Sequence, residues 1–557
     1  MGVQSMYDCP ACGGNLKFDI PSQQLSCAFC NAFYDPYQIT KDKDGEEQND
    51  FEATIFTCPQ CGGEILSTDN TAAGFCSFCG ASTILTSRIS REKKPNYIIP
   101  FQKTKEDCKK EYQKLMRRFI YAPEKLRNPD KINGFRGIYM PYWVYYFSQK
   151  TKLKLKGSTS HRSGDYVITK HYDLTGDLDA YYKGINFDGS SSFSDNISES
   201  IAPFDVKNMK EFTPSILSGF YADTNDLGKD LYSDDAKKIA NDETSAFVKK
   251  EKQFAKYNVS VPADPSNSFN TKTESVDLAM FPVWFMSYKN GDRVAYATIN
   301  GQTGKIYADL PVSVFKYLIG AGIIAIPLFF FLNAFLTLMP TTLVSVVASI
   351  AAVAAIIYAA ALCKIAKQDT DEDDKGKQEA DRLAAIRREE KQREAARRAG
   401  LDETATTFDS SKKNKKSTSA AKKQKTEIPT VVIILLMFFL MSSVMPVLGA
   451  VAIMFGKAGA CGISLIAVVI SFFVGMNAMK KIEAKKGLPA ILWIIIAEVI
   501  ALIACVFDLV KDVYYYGIAI LILVSIAVVL IDIIGCYNLL ATRKLPQFDY
   551  QGGDNNA

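Results

Sequence analysis

Cys9-Pro10-Ala11-Cys12-Gly13-Gly14 is answered by Cys27-Ala28-Phe29-Cys30, and Cys58-Pro59-Gln60-Cys61-Gly62-Gly63 is answered by Cys76-Ser77-Phe78-Cys79. Fourteen residues separate the two pairs inside each frame, and the second frame repeats the first with a shift of forty-nine. Tetrahedral zinc takes four thiolate or imidazole ligands, with Zn–S at about 2.3 Å. A C-x2-C turn delivers two thiolates from one tight knuckle, and two facing knuckles close the shell. The spacing therefore predicts two structural Zn2+ ions. Cys9, Cys12, Cys27 and Cys30 hold one, and Cys58, Cys61, Cys76 and Cys79 hold the other. Four protein ligands leave no open position for a substrate water, which favours structural over catalytic metal. Gly13, Gly14, Gly62, Gly63 and Gly80 suit the positive-φ backbone of a knuckle, and Asn31 is the next best residue at its position. Disulfides and a rubredoxin-like iron site are the competing readings. A reducing compartment argues against the first, and the short separation of the pairs argues against the second.

Each frame resembles a TFIIB-type zinc ribbon. The tandem is followed by Pro95-Asn96-Tyr97-Ile98-Ile99-Pro100-Phe101 and then by a membrane domain. In that order it resembles a family of bacterial multi-pass membrane proteins with tandem TFIIB-type zinc ribbons. The resemblance covers about residues 1–311 and the start of the membrane domain. Members carry labels borrowed from primosomal helicase or RNA polymerase subunits, and this sequence has no helicase or polymerase motif. The resemblance is specific for zinc and unspecific for function.

Working outward, the chain divides by composition. The expected architecture is multi-domain: two small β zinc ribbons at 1–45 and 52–90, an α+β soluble domain at 96–310, and an all-α six-helix transmembrane domain. Each ribbon has few core-forming residues and is expected to need metal to fold. Lys103–Phe119 has helical apolar spacing. Gly137–Phe147 is an aromatic, β-branched run around Pro141 and Trp143, and Ala279–Tyr288 echoes it around Pro282 and Trp284. The echo hints at internal duplication. Alternation near Lys152–Lys156, Tyr166–Tyr172 and Val294–Ile299 predicts strands, and Asn290-Gly291 predicts a hairpin turn. Gly301-Gln302-Thr303-Gly304-Lys305 lacks the glycine spacing of a phosphate loop and reads as a turn.

From Val312 onward six apolar segments follow, at about 314–338, 342–363, 430–455, 459–479, 488–508 and 514–540. Each approaches the roughly 20 residues needed to cross a bilayer as a helix. They form a hairpin (312–364) and a four-helix region (430–542). Between them, 365–429 is a cytoplasmic linker with a charged helix over Gln378–Ala399 and a disordered run, Lys412–Lys425, that holds seven lysines. The basic segments, including a cytoplasmic tail at 543–557, fall on one side if both termini are cytoplasmic. That predicts a multi-pass protein of the inner membrane. The opening thirty residues are polar, so no signal peptide is expected.

Overall charge is +5, and thirteen cysteines are present. Cys108, Cys363, Cys461, Cys505 and Cys536 read as small buried hydrophobes. Between its ligands the first frame has one cation, Lys17, and the second has none. That favours a protein partner over nucleic acid, which wants clustered Lys and Arg. Phe18, Phe29, Phe75 and Phe78 are expected in the ribbon cores. Lys412–Lys425 could meet anionic lipid, although a solvated tether is the plainer reading. Glu498 and Asp532 lie within apolar segments. A carboxyl hydrogen-bonded to Asn333 or Asn477 is favoured over an ion pathway. His161 and His171 fall on predicted strands, and no P-loop, G-x-S-x-G or H-E-x-x-H motif occurs, so no enzyme is expected. The expected function is interaction, scaffolding or sensing at the cytoplasmic face. A membrane-tethered nucleic-acid-binding protein and a small-solute or ion transporter are the alternatives.

Overall fold

The computed structural model describes residues 7–41, 50–67, 76, 78–79, 86–127, 134–260, 262–290, 293–335, 339–369, 374–398, 458–476, 488–507 and 511–544. The chain opens on a three-stranded antiparallel sheet: β1 (Leu16–Asp19), β2 (Gln24–Cys27) and β3 (Phe33–Tyr34). Alternation buries Leu16, Phe18, Leu25 and Cys27 on one face. A short helix, α1 (Pro36–Lys41), follows. β4 (Asp50–Thr57) then pairs antiparallel with both β5 (Glu64–Ser67) and β6 (Thr86–Lys93).

After β7 (Tyr97–Ile98) comes α2 (Lys105–Arg118), the helix expected at 103–119. It starts at a capping box. The Asp107 N–H donates to the Thr104 hydroxyl at 3.2 Å, and the Thr104 N–H donates to the Asp107 carboxylate at 3.1 Å. Cys108, Tyr112 and Met116 fall on one face and are buried.

β8 (Arg136–Ser163) is a single strand of 28 residues. From Gly137 to Phe147 every residue is buried, so both faces are covered there. Beyond Gln149 it alternates, with Leu153 and Leu155 inward and Lys150, Lys152, Lys154 and Lys156 outward. β9 (Tyr166–Asp188) returns along it and sets Asp179, Asp177 and Asp173 opposite Lys150, Lys152 and Lys156. Opposite charges facing across strands contribute roughly 0.2–1 kcal/mol each, less where exposed, and a one-residue slip would break the whole set.

Next come α3 (Asp195–Ile201), β10 (Lys210–Glu211), β11 (Tyr221–Ala222) and α4 (Ser233–Lys250). Val248 of α4 packs with Leu153, Leu155, Leu174 and Leu178 of the β8–β9 ribbon. β12 (Asn258–Ser260) and α5 (Pro265–Ser268) lead to β13 (Thr271–Asn290), β14 (Arg293–Asn300) and β15 (Ile306–Ala308). β13 and β14 form the expected hairpin, in register from Asn290↔Arg293.

The two aromatic runs are neighbours. β13 lies antiparallel to β8, with Leu278 opposite Trp143 and Trp284 opposite Gly137. Each run is the first strand of a hairpin, which accounts for the Pro-x-Trp echo. A Cβ at Gly137 would lie 2.5 Å from Phe220 and 3.2 Å from Phe101. Phe101 and Phe220 stack there at 4.5 Å, with Tyr139 edge-on to Phe101 at 4.9 Å.

This seam is the centre of a sheet ordered β10-β7-β13-β8-β11-β5-β4-β6. The two residues of β11 join its halves, parallel to β8 and antiparallel to β5. The second cysteine frame therefore shares a sheet with the central domain. The first frame packs on it: Tyr7, Cys9, Leu16, Phe18, Leu25 and Cys27 share a core with Phe101, Tyr139 and Trp284. Gln23 donates to the Phe101 carbonyl at 2.8 Å and Tyr37 to the Glu211 carbonyl at 2.9 Å.

The remaining helices are α6 (Val314–Phe335), α7 (Pro340–Asp369), α8 (Lys375–Arg398), α9 (Ala458–Met476), α10 (Leu488–Phe507) and α11 (Asp512–Leu540). Among the described residues, three helices are long and apolar enough to cross a bilayer, α7, α9 and α11, where six were expected. α6 and α10 fall on expected spans but offer shorter apolar stretches, Val314–Leu328 and Ile491–Phe507. The expected span 430–455 and the Lys412–Lys425 run lie outside the described residues. Small residues let the helices approach closely. Ala348, Ala351 and Ala355 of α7 share a core with Ala497 and Ala501 of α10 and Ile522 of α11.

The helices are tied into the sheet. Past α11 the chain adds β16 (Arg543–Lys544) to the edge of β14. The Arg293 guanidinium donates to the Leu539 and Thr542 carbonyls at 2.7 and 2.6 Å. The Asn538 amide exchanges two hydrogen bonds with the backbone of Val312. α8 matches the expected charged helix, and its N-terminal end is docked on the soluble domain. Asp374 is buried and accepts from the Lys377 N–H at 2.9 Å, and the Lys375 N–H donates to Asp195 at 2.9 Å. Carboxylates here satisfy amides that the helix leaves unpaired.

Asp223 is buried behind the seam, where the Ser190 hydroxyl donates to it at 2.5 Å and the Ser192 hydroxyl also donates. Burial pushes its carboxyl up to about 7, and nearby Asp226 adds to the shift. A carboxyl raised on folding stabilises the fold fully below its unfolded value, and that stability is lost as pH rises through about 7. Thermal unfolding of the full chain across about pH 5 to 8 should show this decline. In Asp223→Asn the decline should flatten.

Candidate metal centres

The first knuckles of the two cysteine frames fold alike. The Gly13 N–H donates to the Cys9 carbonyl at 2.8 Å and the Cys9 N–H to the Gly14 carbonyl at 2.7 Å. Forty-nine residues on, Gly62 donates to Cys58 at 2.8 Å and Cys58 to Gly63 at 2.9 Å. The Cys27 knuckle repeats the pattern through Asn31 and Ala32, both at 3.0 Å. Gly13, Gly62 and Asn31 take positive φ, at 71°, 76° and 54°. Gly14 does not. It is required for space instead, because a Cβ there would meet the Phe29 ring at 2.5 Å.

These knuckles bring all eight cysteines into two groups of four, and within each group the sulfurs lie within 4.8 Å of one another. Cys9 and Cys30 stand 3.5 Å apart, Cys12 and Cys27 3.4 Å, Cys58 and Cys79 3.8 Å, and Cys61 and Cys76 3.7 Å. Four sulfurs on a tetrahedron of about 2.3 Å radius would stand about 3.8 Å apart. A disulfide would need about 2.05 Å. The donor set and its spacing fit a metal ion in each group, so the chain could hold two Zn2+.

The groups differ in exposure. Cys12 and Cys30 are open to solvent, whereas Cys58, Cys61, Cys76 and Cys79 are all buried. The second group sits in its own core with Phe56, Ile65 and Phe78, and the Tyr296 hydroxyl donates to the Phe78 carbonyl at 2.8 Å. In the first, the Tyr34 hydroxyl lies 3.4 Å from Cys9 Sγ and helps pull that thiol down to about 6. No spacing rule pointed to Tyr34. Its place follows from β3 pairing with β2.

The phenylalanines divide. Phe18 and Phe78 are buried as expected, but Phe29 is 80% exposed, which corrects its assignment to a ribbon core. Its ring lies over Gly14, where a Cβ would come within 2.5 Å of it. Phe33 is 53% exposed as well. Phe75 lies outside the described residues.

The other singled-out residues do not converge. His161 and His171 are exposed near the far end of the β8–β9 ribbon, opposite Ile168 and Ser158. Glu498 is fully buried between α9 and α10. Its partner is Ser471, whose hydroxyl donates to Oε1 at 3.0 Å. Its Oε2 has no hydrogen-bond partner among the described residues. The side chains of Asn333 and Asn477, the expected partners, lie outside them. Asp532 of α11 is partly exposed. Cys108, Cys505 and Cys536 are buried, whereas Cys363 and Cys461 are half-buried.

The chain is similar to the uncharacterized protein YdjG of Bacillus subtilis (strain 168), with 26% identity over 312 residues. That match covers 55% of this chain and 90% of the relative. No family model and no solved structure matches it.

Metal release should follow burial. Full chain purified with zinc should carry two ions, and a colorimetric chelator should remove them in two phases. The fast phase should belong to the Cys9 group, so Cys12→Ser should abolish it and leave the slow phase. A single phase would contradict the difference in exposure.

Proposed function

We propose that this is a multi-pass protein of the bacterial inner membrane, with six spans and both termini in the cytoplasm. On this reading its tandem TFIIB-type ribbons hold two structural zinc ions. The ribbons and the sheet-rich domain engage a protein partner in scaffolding, sensing or assembly at the cytoplasmic face, without catalytic turnover.

The observation that carries the partner reading is the exposed pair Phe29 and Phe33 beside the outer metal knuckle. Large aromatics displayed on a rigid support are common anchors of protein interfaces. Nucleic acid is the less favoured partner, because Lys17 is the one cation between the ligands of the first frame and the second has none. The test is capture from a bacterial lysate by detergent-solubilised full chain, with and without nuclease. A defined protein retained by the wild type should be lost in Phe29→Ser/Phe33→Ser, with zinc content unchanged. Material lost on nuclease treatment would favour the nucleic-acid reading.

A second reading, ion or small-solute transport, rests on the buried Glu498, one of whose oxygens has no hydrogen-bond partner among the described residues. Buried carboxyls within membrane helices often mark ion pathways. Glu498→Gln keeps an acceptor for Ser471. In proteoliposomes with a pH-sensitive dye, the scaffold reading expects equal proton flux from wild type and variant. Loss of flux in the variant, with folding intact, would favour transport.

A further inference from the structure

A polar cavity of about 490 Å³ opens where the helices meet the sheet. It is built from separate parts of the chain. Lys364 and Gln368 come from the last turns of α7, Arg543 from the start of β16, and Asn196, Glu199 and Ser200 from α3. Its size is that of a small-ligand site. On the six-span reading, Lys364 and Arg543 both lie just past the cytoplasmic ends of apolar helices, at headgroup depth.

The Arg543 guanidinium donates through Nη1 to the Ser194 hydroxyl at 2.5 Å, while its buried Nε has no acceptor among the described residues. A buried guanidinium N–H without a partner is costly. A planar, multiply donating group of this kind suits a phosphate. Lys364 lines the same space from another helix. Asn196 and Ser200 add an amide and a hydroxyl to the wall, while the Gln368 amide is held by the Leu540 and Thr542 carbonyls at 3.3 Å and shapes the cavity floor. Three carboxyls oppose an anion: Glu199 in the wall, and Asp309 and Asp374, which both feel the Arg543 charge. Burial pushes all three up from the usual carboxylate range, Asp374 to about 6.

We propose that this junction cavity is a binding site for a phosphate group, with Lys364 and Arg543 as its cationic anchors. It is separate from the Lys412–Lys425 run. Basic pockets between helices on the cytoplasmic side of a membrane take anionic lipid headgroups. A phosphatidylglycerol headgroup and a free phosphate share the chemistry that this cavity recognises. The lipid source rests on the six-span reading, while the phosphate chemistry of the cavity does not.

The test uses full chain in detergent, followed by native mass spectrometry. One arm titrates phosphatidylglycerol with phosphatidylcholine as control, and the other titrates inorganic phosphate. The wild type should retain phosphatidylglycerol over phosphatidylcholine. Lys364→Gln should weaken this about fivefold and Lys364→Gln/Arg543→Gln about twenty-fivefold. Lipid retention that resists inorganic phosphate assigns the site to a headgroup. Retention displaced by phosphate, or phosphate bound alone with the same variant dependence, assigns it to the free anion. Equal binding by wild type and variants, or binding of neither ligand, overturns the proposal. Arg543 also helps hold Ser194, so if the double variant loses zinc or unfolds, Lys364→Gln decides alone. Fractionation of carbonate-washed membranes checks the membrane reading separately. A chain released by carbonate defeats that reading, and the inorganic-phosphate arm still decides the cavity.

Discussion

The antiparallel seam between β8 and β13 supports every other part of the molecule. Its central residues are buried on both faces, so the side chains above and below must be supplied by other segments. Aromatic rings fill one side, where Phe101, Tyr139 and Phe220 close over Gly137. The first cysteine frame packs on this same side. The second reaches the seam through β11, a strand of two residues. A metal centre attached this way is less a free module than a brace on the sheet.

Glycine and charge set the local geometry. Gly14 leaves room for Phe29, and Gly13, Gly62 and Asn31 carry the left-handed turns. On the β8–β9 ribbon, lysines and aspartates face each other in register, while leucines face α4. The exposed face thus specifies pairing and the buried face supplies cohesion. Each would be shifted out of place by the same one-residue slip.

Short-range chemistry was the legible part. The cysteine frames, the helical spacing of α2 and the β13–β14 hairpin all declare themselves within a few residues. The metal groups were readable because ligand type and spacing are both constrained. The docking of the second frame was not, because it depends on β11, which has no periodicity in two residues. The exposure of Phe29 was misread for a similar reason. A ribbon core looks apolar in sequence, but Leu16, Phe18 and Leu25 form it, and Phe29 stays outside. α4 went unassigned, since most of its buried positions are small or polar, as with Ala236, Ala240, Asn241 and Thr244, and α3 is only seven residues long, too short to show a helical period. The docking of Asp374 was hidden inside an acidic run that reads as solvated. The junction cavity was invisible because its walls come from four distant segments.

The addition of β16 to β14 has a consequence for biosynthesis. Arg293 and Thr542 meet across 249 residues of chain. A ribosome working from the N-terminus completes both metal frames and the central strands long before it makes Arg543. Throughout that interval, the edge of β14 near Arg293 and Val294 lacks its last strand. Open sheet edges pair readily with wrong partners. The final helix therefore acts as a closing stitch. Only when α11 has been made and placed does the strand behind it reach the sheet, so delayed placement of that helix would leave the nascent domain open to misassembly.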